Sequence, residues 1–412
     1  MNKKNVFLWS LYDFANSIFS IVFFLYFSQW LVIDHGVSDF WYNMIYTMGS
    51  VLLVLTSPIL GSIADKTGKQ QKYLNQITVI TFLCLLGTSF TTLFFSHQVL
   101  LAYLLYLLAN YFYQFSFVFY NALLHFIAPP EKWGRISGIG QAGNMLGQVS
   151  GLLITLPLAT GAIYLFGEHG RAQTLLPSTI VFFLLALPML LFFKMKKIGT
   201  AVDKKISLGQ EYKTQWKQFK ELVKVPNLGM FLLSYFFFND AIITASNNYP
   251  IFMQNVFAVS DTIKSFVLVG ILLAATIGAA ICGWVADKIG LKKTLVIVLG
   301  SWIVIFPALG LTQSLTIFFI ISTLMGFFFG ATWTVTRAAM TALTPVEKLN
   351  FGFSFYTLAE RVSTLVGPLS WGLITTLLIH HGPVRYRFAA ASMAVFVGIG
   401  LWFLRKVEIK TS

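Results

Sequence analysis

Twelve long apolar segments follow one another along the 412-residue chain and constrain its fold more than any other feature. A helix that crosses the hydrocarbon core of a bilayer needs about 20 mainly apolar residues, and each segment reaches that length. Charged residues make up only 11% of the chain, against about 25% in soluble domains. So much apolar surface cannot be buried inside a soluble globule, and we predict an all-α membrane protein with twelve transmembrane helices. The predicted spans lie near residues 6–33, 41–64, 73–95, 98–127, 135–165, 172–194, 228–257, 264–286, 293–313, 315–343, 352–381 and 385–405.

Lysine and arginine residues are distributed unevenly between the two ends of these spans. Of the 29 basic residues, 24 fall on the side that holds the N-terminus. The opposite side has only Arg171, Lys264, Arg385 and Arg387. Because basic loops stay in the cytoplasm, we predict cytoplasmic termini and a bacterial inner (plasma) membrane location. The same distribution argues against nucleic acid as the partner that the net charge of +14 would otherwise suggest.

Three sequence features recur at nearly the same spacing in the two parts of the chain. The segment GSIADKTG at 61–68 recurs as GWVADKIG at 283–290, with five of eight positions identical. The segment PPEK after span 4 recurs as PVEK after span 10, and Asp13 in span 1 matches Asp240 in span 7. Parallel repeats of this kind relate two six-helix halves by an axis along the membrane normal, so we predict two pseudo-symmetric halves.

The repeats divide the chain into a half at 1–194, a half at 227–412 and a basic cytoplasmic linker at 195–226. In the linker, Trp216 and Phe219 fall at helical spacing opposite basic side chains, which fits an amphipathic helix on the membrane surface. A solvated linker fits the same residues equally well, because the helical periodicity is weak.

The repeated Gly-x-x-x-Asp-Lys-x-Gly segments resemble the cytoplasmic loop signature of the major facilitator superfamily. The segment WSLYDFANS at 9–17 resembles the opening signature of one of its branches, the vacuole-effluxer, autophagy-related branch with its bacterial relatives. Further agreement comes from Phe238-Asn239-Asp240, Asn121-Ala122, Arg135 with Ser137 and Gly138, and Gly367-Pro368. The chain departs from the branch at His125-Phe126, Ala241 and Glu360-Arg361.

This resemblance implies a secondary transporter that works by alternating access, with spans 1, 4, 7 and 10 around a central cavity. It implies amino-acid efflux for the fungal members, which suggests a small polar or zwitterionic, amino-acid-like solute here. Protons are the expected coupling ion, through Asp13 or Asp240. Two other hypotheses stay open: efflux of amphipathic compounds, and a non-transporting membrane receptor with the same fold. We expect no enzymatic activity, no cofactor and no metal, and we expect a monomer in the lipid bilayer.

Polar and charged side chains inside the spans are candidate contacts for a solute or a proton, because they are costly in lipid and usually face a cavity. The alternative is that they hydrogen-bond neighbouring helices and only hold the bundle together. Asp13 and Asp240 are the strongest candidates, since a charge is harder to accommodate than an amide. The full set is Asp13, Asn16, Ser20, Gln114, Asn121, Asn144, Gln148, Asp240, Thr244, Asn247, Glu360 and Arg361.

The repeated loops are predicted to gate the cytoplasmic side. By the resemblance to the superfamily, Asp65 would meet the N-terminal end of span 11 and Asp287 that of span 5, where free N–H groups favour an anion. The gating set is Gly61, Asp65, Lys66, Gly68, Arg135, Gly283, Asp287, Lys288 and Gly290. The glycines of span 5 predict a close-packed sliding surface against span 8. They are Gly140, Gly143, Gly147 and Gly151.

The uneven distribution of basic residues makes the topology testable. Epitope tags at both termini and in the loop around Lys205 should be inaccessible to membrane-impermeant reagents in intact cells, and accessible once the membrane is opened. External labelling of the 210–220 stretch would contradict the twelve-span topology.

Overall fold

The computed structural model describes residues 3–67, 69–123, 127, 133–194, 209, 213, 217, 220, 221, 224, 225, 227–344, 356, 359, 360 and 363–409. Twelve α-helices run through these ranges, one in each predicted span. They are α1 (Lys3–Val22), α2 (Asp39–Thr67), α3 (Gln70–Phe94), α4 (Val99–Ala122), α5 (Trp133–Ala159), α6 (Ala172–Phe192), α7 (Leu228–Phe257), α8 (Asp261–Ile289), α9 (Leu291–Leu311), α10 (Leu315–Leu343), α11 (Val366–Leu377) and α12 (Val384–Arg405).

Ten helical segments of the described ranges are long and apolar enough to cross a membrane, and α11 is a shorter apolar helix. The predicted membrane-spanning, all-helical architecture is therefore confirmed. The linker at 195–226 lies for the most part outside the described residues, so both readings of it stay predictions.

The first span is not a uniform α-helix. Beyond α1 the chain continues through two π-helical turns, Phe23–Phe27 and Trp30–Asp34. Ser28 and Gln29 lie between the turns, are fully buried, and donate to backbone carbonyl groups one turn back. Widened turns of this kind occur often at functional sites, and no feature of the sequence predicted them.

The helices group into two compact units. Unit 1 consists of Met1–Val37 and Leu52–Tyr212, and unit 2 consists of Ser38–Val51 and Lys213–Ser412. Inside unit 1, α1 packs on α5 and α6, and α3 packs on α4 and α6. Inside unit 2, the corresponding helices repeat the arrangement: α7 packs on α11 and α12, and α9 packs on α10 and α12. The sequence repeat thus corresponds to a repeated pattern of helix pairs.

The glycine stripe of span 5 has a different partner from the one predicted. A Cβ on Gly147 would overlap the Phe14 carbonyl oxygen, and one on Gly151 would lie 2.8 Å from the Ile18 carbonyl oxygen. The stripe therefore brings α5 against α1 of its own unit, and the predicted sliding surface against span 8 is wrong. Small residues let helix backbones approach closely, and here the close approach holds one unit together.

In unit 2, glycines allow the same close approach of helix backbones between α8 and α10. A Cβ on Gly278 would overlap the Phe327 carbonyl oxygen, and one on Gly330 would overlap the Ala275 carbonyl oxygen. Gly278 thus serves the packing of span 8 against span 10, whereas nothing lies within 4 Å of a Cβ on Gly270.

Span 11 is not continuous, although hydropathy predicted one helix over 352–381. Residues 363–365 form a turn, and α11 begins only at Val366. Pro368 explains the restart, because proline lacks a backbone N–H and is tolerated in the first turn of a helix but not in its interior. The break leaves a helix N-terminus inside a predicted membrane span.

The glycine contacts predict that the same glycine-to-alanine substitution changes stability differently at two positions. Gly330→Ala should lower the free energy of unfolding by about 1–3 kcal/mol, because a methyl group has no room beside the Ala275 backbone. The control is Gly300→Ala on α9, where nothing lies within 4 Å of a Cβ, and stability should be unchanged or rise by about 0.5–1 kcal/mol. Thermal unfolding of the purified variants measures both, and equal stabilities would contradict the packing described.

Candidate functional site

Three of the predicted site residues form one hydrogen-bonded row in unit 1. Asn144 of α5 donates from Nδ2 to Asp13 Oδ1 of α1 at 3.1 Å, and Gln148 donates from Nε2 to Asn144 Oδ1 at 2.7 Å. Asp13 is 6% exposed, whereas the two amide side chains are half-buried. The row therefore leads from a buried carboxylate to half-buried amide groups.

The opening signature of the sequence positions Asp13 through aromatic packing. The Trp9 ring stacks on Tyr120 of α4 with centroids 4.6 Å apart. Each of these side chains also donates to the other residue's carbonyl oxygen at 3.1 Å. The Tyr12 hydroxyl bonds Thr78 of α3 at 2.7 Å. A Cβ on Gly140 would lie 2.6 Å from the Trp9 ring and 3.6 Å from Asp13 Oδ2, so a glycine is needed there.

The other candidates of unit 1 are placed differently. Asn16 donates to the Tyr12 carbonyl oxygen at 2.7 Å, and Ser20 donates to the Ser17 carbonyl oxygen at 3.2 Å. These side chains thus bond their own helix, as short polar side chains commonly do in membrane spans. Gln114 is buried on α4, and Asn121 is exposed near the end of the same helix.

Asp240 is the buried carboxylate of unit 2. It is fully buried, and its Oδ2 accepts from the backbone N–H of Gly367 at 2.6 Å, in the first turn of α11. Thr244 lies one turn further along α7 and is also fully buried. A Cβ on Gly367 would overlap Thr244 Oγ1 and would lie 2.8 Å from Asp240 Oδ1.

Asp13 and Asp240 hold repeat-related positions and contact repeat-related helices. Asp13 on α1 meets α5, and Asp240 on α7 meets α11. Their donors differ in kind, because Asp13 accepts from an amide side chain and Asp240 accepts from the N–H of a helix N-terminus.

The residues at the break in span 11 form hydrogen bonds with side chains of α7 and of the first part of α2. Asn239 of α7 hydrogen-bonds the Ser363 hydroxyl, which in turn donates to the Glu360 carbonyl oxygen at 2.8 Å. Ser50 of α2 hydrogen-bonds the Thr364 hydroxyl. Thr47 of α2 donates to the Leu365 carbonyl oxygen at 3.4 Å. Glu360 itself is half-buried, and Arg361 lies outside the described residues.

The first part of α2 makes further polar contacts inside unit 2 that the sequence analysis missed. Asn43 and Asn248 exchange two amide hydrogen bonds of 2.9 and 2.8 Å, and both side chains are buried. The Tyr42 hydroxyl donates to the Asn247 carbonyl oxygen at 2.9 Å.

Asp39 begins α2 and accepts from the Tyr386 hydroxyl at 2.9 Å, with Arg385 at 3.9 Å. No repeated motif marks these positions in the sequence, so only the three-dimensional contacts reveal them.

The gating residues are described only in part. Asp287 is exposed at the end of α8, and Lys288 places its Nζ 3.6 Å from the centre of the Trp284 ring. Gly290 ends α8 at a φ of +92°, a conformation that favours glycine. A Cβ on Gly283 would lie 3.5 Å from Thr334 Cγ2, which is an ordinary contact distance. Gly68 and the side chains at positions 61, 65, 66 and 135 lie outside the described residues, so the gating role stays a prediction.

Comparison with known families and proteins agrees with this description. A family model, described as vacuole effluxer Atg22 like, matches residues 128–412. The MFS-type transporter YxiO of Bacillus subtilis (strain 168) is 24% identical over 432 residues, which cover 98% of this chain and 95% of YxiO.

Two solved transporters share the fold over nearly the whole chain. The first is a bacterial homologue of the human lysosomal transporter Spinster in an inward-facing, unoccupied conformation. It has a TM-score of 0.76, 16% identity, and coverage of 99% of this chain and 98% of that one. The second is a D-xylose-proton symporter, with a TM-score of 0.72, 14% identity, and coverage of 99% of each chain. The predicted major facilitator fold is confirmed.

The amide pair between α2 and α7 predicts a non-additive effect on stability. Asn248→Leu should lower the free energy of unfolding by about 1–3 kcal/mol, because it leaves the buried amide oxygen of Asn43 without its partner. The double variant Asn43→Leu, Asn248→Leu should lose less than the two single variants together. Thermal unfolding of all four proteins gives the coupling energy, and strict additivity would show that the pair contributes nothing.

Proposed function

The chain belongs to the vacuole effluxer Atg22-like family of MFS-type transporters, and we propose that it moves a small polar or zwitterionic, amino-acid-like solute across the membrane by proton-coupled alternating access. The observation that carries the proposal is the pair of buried carboxylates, one in each unit at repeat-related positions. A buried carboxylate inside a membrane span is expensive, and such residues mark solute or proton pathways in transporters.

The chemistry of the Asp13 row supports a polar solute. A carboxylate and two primary amides offer both acceptors and donors, and the half-buried amides of Asn144 and Gln148 extend the row from Asp13. An ammonium group suits the carboxylate, and a carboxylate or hydroxyl group of the solute suits the amides. These are the groups of an amino-acid-like molecule.

Proton coupling is supported by the two carboxylates together with a precedent in the fold. The D-xylose-proton symporter has the same fold and, by its name, moves a proton with its solute. A carboxylate that exchanges a proton as the protein changes conformation links the proton gradient to solute movement.

Efflux of amphipathic compounds has less support. Aromatic residues of unit 1, such as Phe23, Phe27 and Tyr106, are buried in contacts with one another. They serve helix packing, and no described observation assigns them to a binding surface. We place both termini in the cytoplasm of a bacterial cell, on the argument of the basic loops.

Neutralising either carboxylate should abolish proton-coupled transport. After a thermal-shift screen of amino acids, dipeptides and sugars on the purified protein, flux of the best solute is measured in proteoliposomes with an imposed pH gradient. Asp13→Asn and Asp240→Asn should express normally and lose gradient-driven flux. The control is Glu408→Gln, which neutralises an exposed carboxyl group near the C-terminus and should transport normally.

Normal flux with unchanged pH dependence in both aspartate variants would disprove the coupling. Solute binding without flux in the wild-type protein would favour the receptor hypothesis instead.

A further inference from the structure

We propose that Asp240, and not Asp13, holds the coupling proton, and that Asp13 stays ionised in the same conformation. This inference rests on the proposed proton-coupled transport and assigns its proton to one atom, Asp240 Oδ1. The argument follows from what each carboxylate has around it.

No described residue supplies a compensating positive charge to Asp240. It is fully buried, and within the described ranges no lysine or arginine side chain forms an ion pair with it. Its Oδ2 is held by the Gly367 N–H. A helix N-terminus provides only a partial positive charge, so a full negative charge at this depth is poorly compensated. Protonation removes that charge.

The described titratable side chains on the helices that contact α7 form no hydrogen bond or ion pair with Asp240. Helices α10, α11 and α12 and the first part of α2 contact α7, and α11 has no titratable side chain. Arg385 and Tyr386 of α12 contact Asp39, and Arg387 donates to the Gly310 carbonyl oxygen. The remaining titratable groups of these helices and of α7 itself are Arg337 on α10, Arg405 on α12, Tyr42 and Tyr46 on α2, and Tyr235 and Tyr249 on α7. Before α11, Tyr356 stacks on Tyr235, and the Glu360 carbonyl oxygen accepts from Asn239. None of the described hydrogen bonds or ion pairs joins them to Asp240.

The buried oxygen atoms Asp240 Oδ1 and Thr244 Oγ1 lie close to Gly367 but are not hydrogen-bonded to each other. Asp240 Oδ1 and Thr244 Oγ1 are both buried without a hydrogen-bond partner among the described residues. Both lie against the position where a Cβ on Gly367 would stand. A protonated carboxyl group donates one hydrogen bond, and a threonine hydroxyl accepts one. The threonine hydroxyl can also donate to an ionised Oδ1, but that arrangement keeps a full negative charge in an enclosed site. One proton on Oδ1, donated to Thr244 after a small rotation, satisfies both atoms and removes the charge.

The surroundings of Asp13 favour the charged form. Its Oδ1 accepts a hydrogen bond from the amide of Asn144, which is itself oriented by Gln148. Both amide side chains are half-buried, so the row has access to solvent or solute. Hydrogen bonds donated to a carboxylate stabilise its ionised form. Asp240 also accepts one, but its Oδ1 is buried without a partner among the described residues, whereas neither oxygen of Asp13 is in that position. Asp13 is therefore suited to meet a cationic group of the solute, while Asp240 is enclosed and suited to hold a proton.

The position of Asp240 also connects the proton to the break in span 11. Oδ2 accepts from the first turn of α11, directly after the turn at 363–365. When the proton leaves Oδ1 for water, the carboxylate becomes charged and holds the Gly367 N–H more strongly, since charge-assisted hydrogen bonds are the stronger ones. Loading and unloading therefore change how firmly α7 holds the start of α11.

Infrared difference spectroscopy on the full-length protein in lipid nanodiscs tests the assignment without any solute. A step from neutral to alkaline pH should remove a C=O stretching band of a protonated, buried carboxylic acid from the wild-type spectrum. The band should be absent in Asp240→Asn and fully retained in Asp13→Asn. Thr244→Val should keep the band but shift it to higher frequency, because the carboxyl group loses its acceptor.

Loss of the band in Asp13→Asn, its persistence in Asp240→Asn, or its absence from the wild-type protein would overturn the proposal. If Asp240→Asn cannot be purified, the Thr244→Val spectrum decides, and an unshifted band there would equally overturn it. Because the measurement needs no transported solute, an assigned band without pH-driven flux would refute the proposed function and leave the assignment of the proton intact.

Discussion

Inside lipid, a backbone group that leaves the helical hydrogen-bond pattern has no water to bond and must find its partner within the protein. The interrupted eleventh span is where this constraint shapes the rest of unit 2. The Gly367 N–H is taken by a carboxylate of α7, and the Leu365 carbonyl oxygen by a hydroxyl of α2. The hydroxyls of Ser363 and Thr364 are bonded to the same two helices. A local irregularity thus determines which polar residues two other helices must carry.

The repeat preserves geometry while the chemistry of the two halves diverges. In both units the carboxylate of the first helix faces the fifth helix, and the first, third and sixth helices pack on the same neighbours. In unit 1 that fifth helix is continuous and offers amide side chains; in unit 2 it is interrupted and offers a backbone N–H. The two related helix arrangements therefore give one carboxylate bonded to half-buried amide side chains and another that is fully buried against a helix N-terminus.

The sequence was sufficient for those features that depend on averages over many residues. Hydropathy located every span, because a membrane helix needs a long apolar run, and the repeated loop motif revealed the two related halves. Asp13 and Asp240 were found because charge inside a span is rare. Their different environments were not predictable, since Asn144 and Gly367 become their partners only through tertiary packing.

Three features that the sequence analysis did not predict have a common physical cause. The partner of the glycine stripe, the break before Val366 and the contacts of Asn43 all depend on which helix faces which. Hydropathy reports only how apolar a segment is, so it cannot distinguish packing against α1 from packing against α8. Pro368 did signal a possible helix start, but the apolar run around it outweighed that signal in the predicted boundaries.

Helix α2 belongs to both units, because Ser38–Val51 groups with unit 2 and the chain from Leu52 groups with unit 1. Residues 227–412 on their own would lack the segment that bonds Asn248 and Thr364 and that packs Phe40 against Gly372. The second repeat therefore takes part of its buried polar contacts from a segment that lies far before it in the chain. A chain divided at the linker would give a C-terminal fragment in which the buried amide of Asn248 has lost Asn43, the side chain that completes its hydrogen bonds.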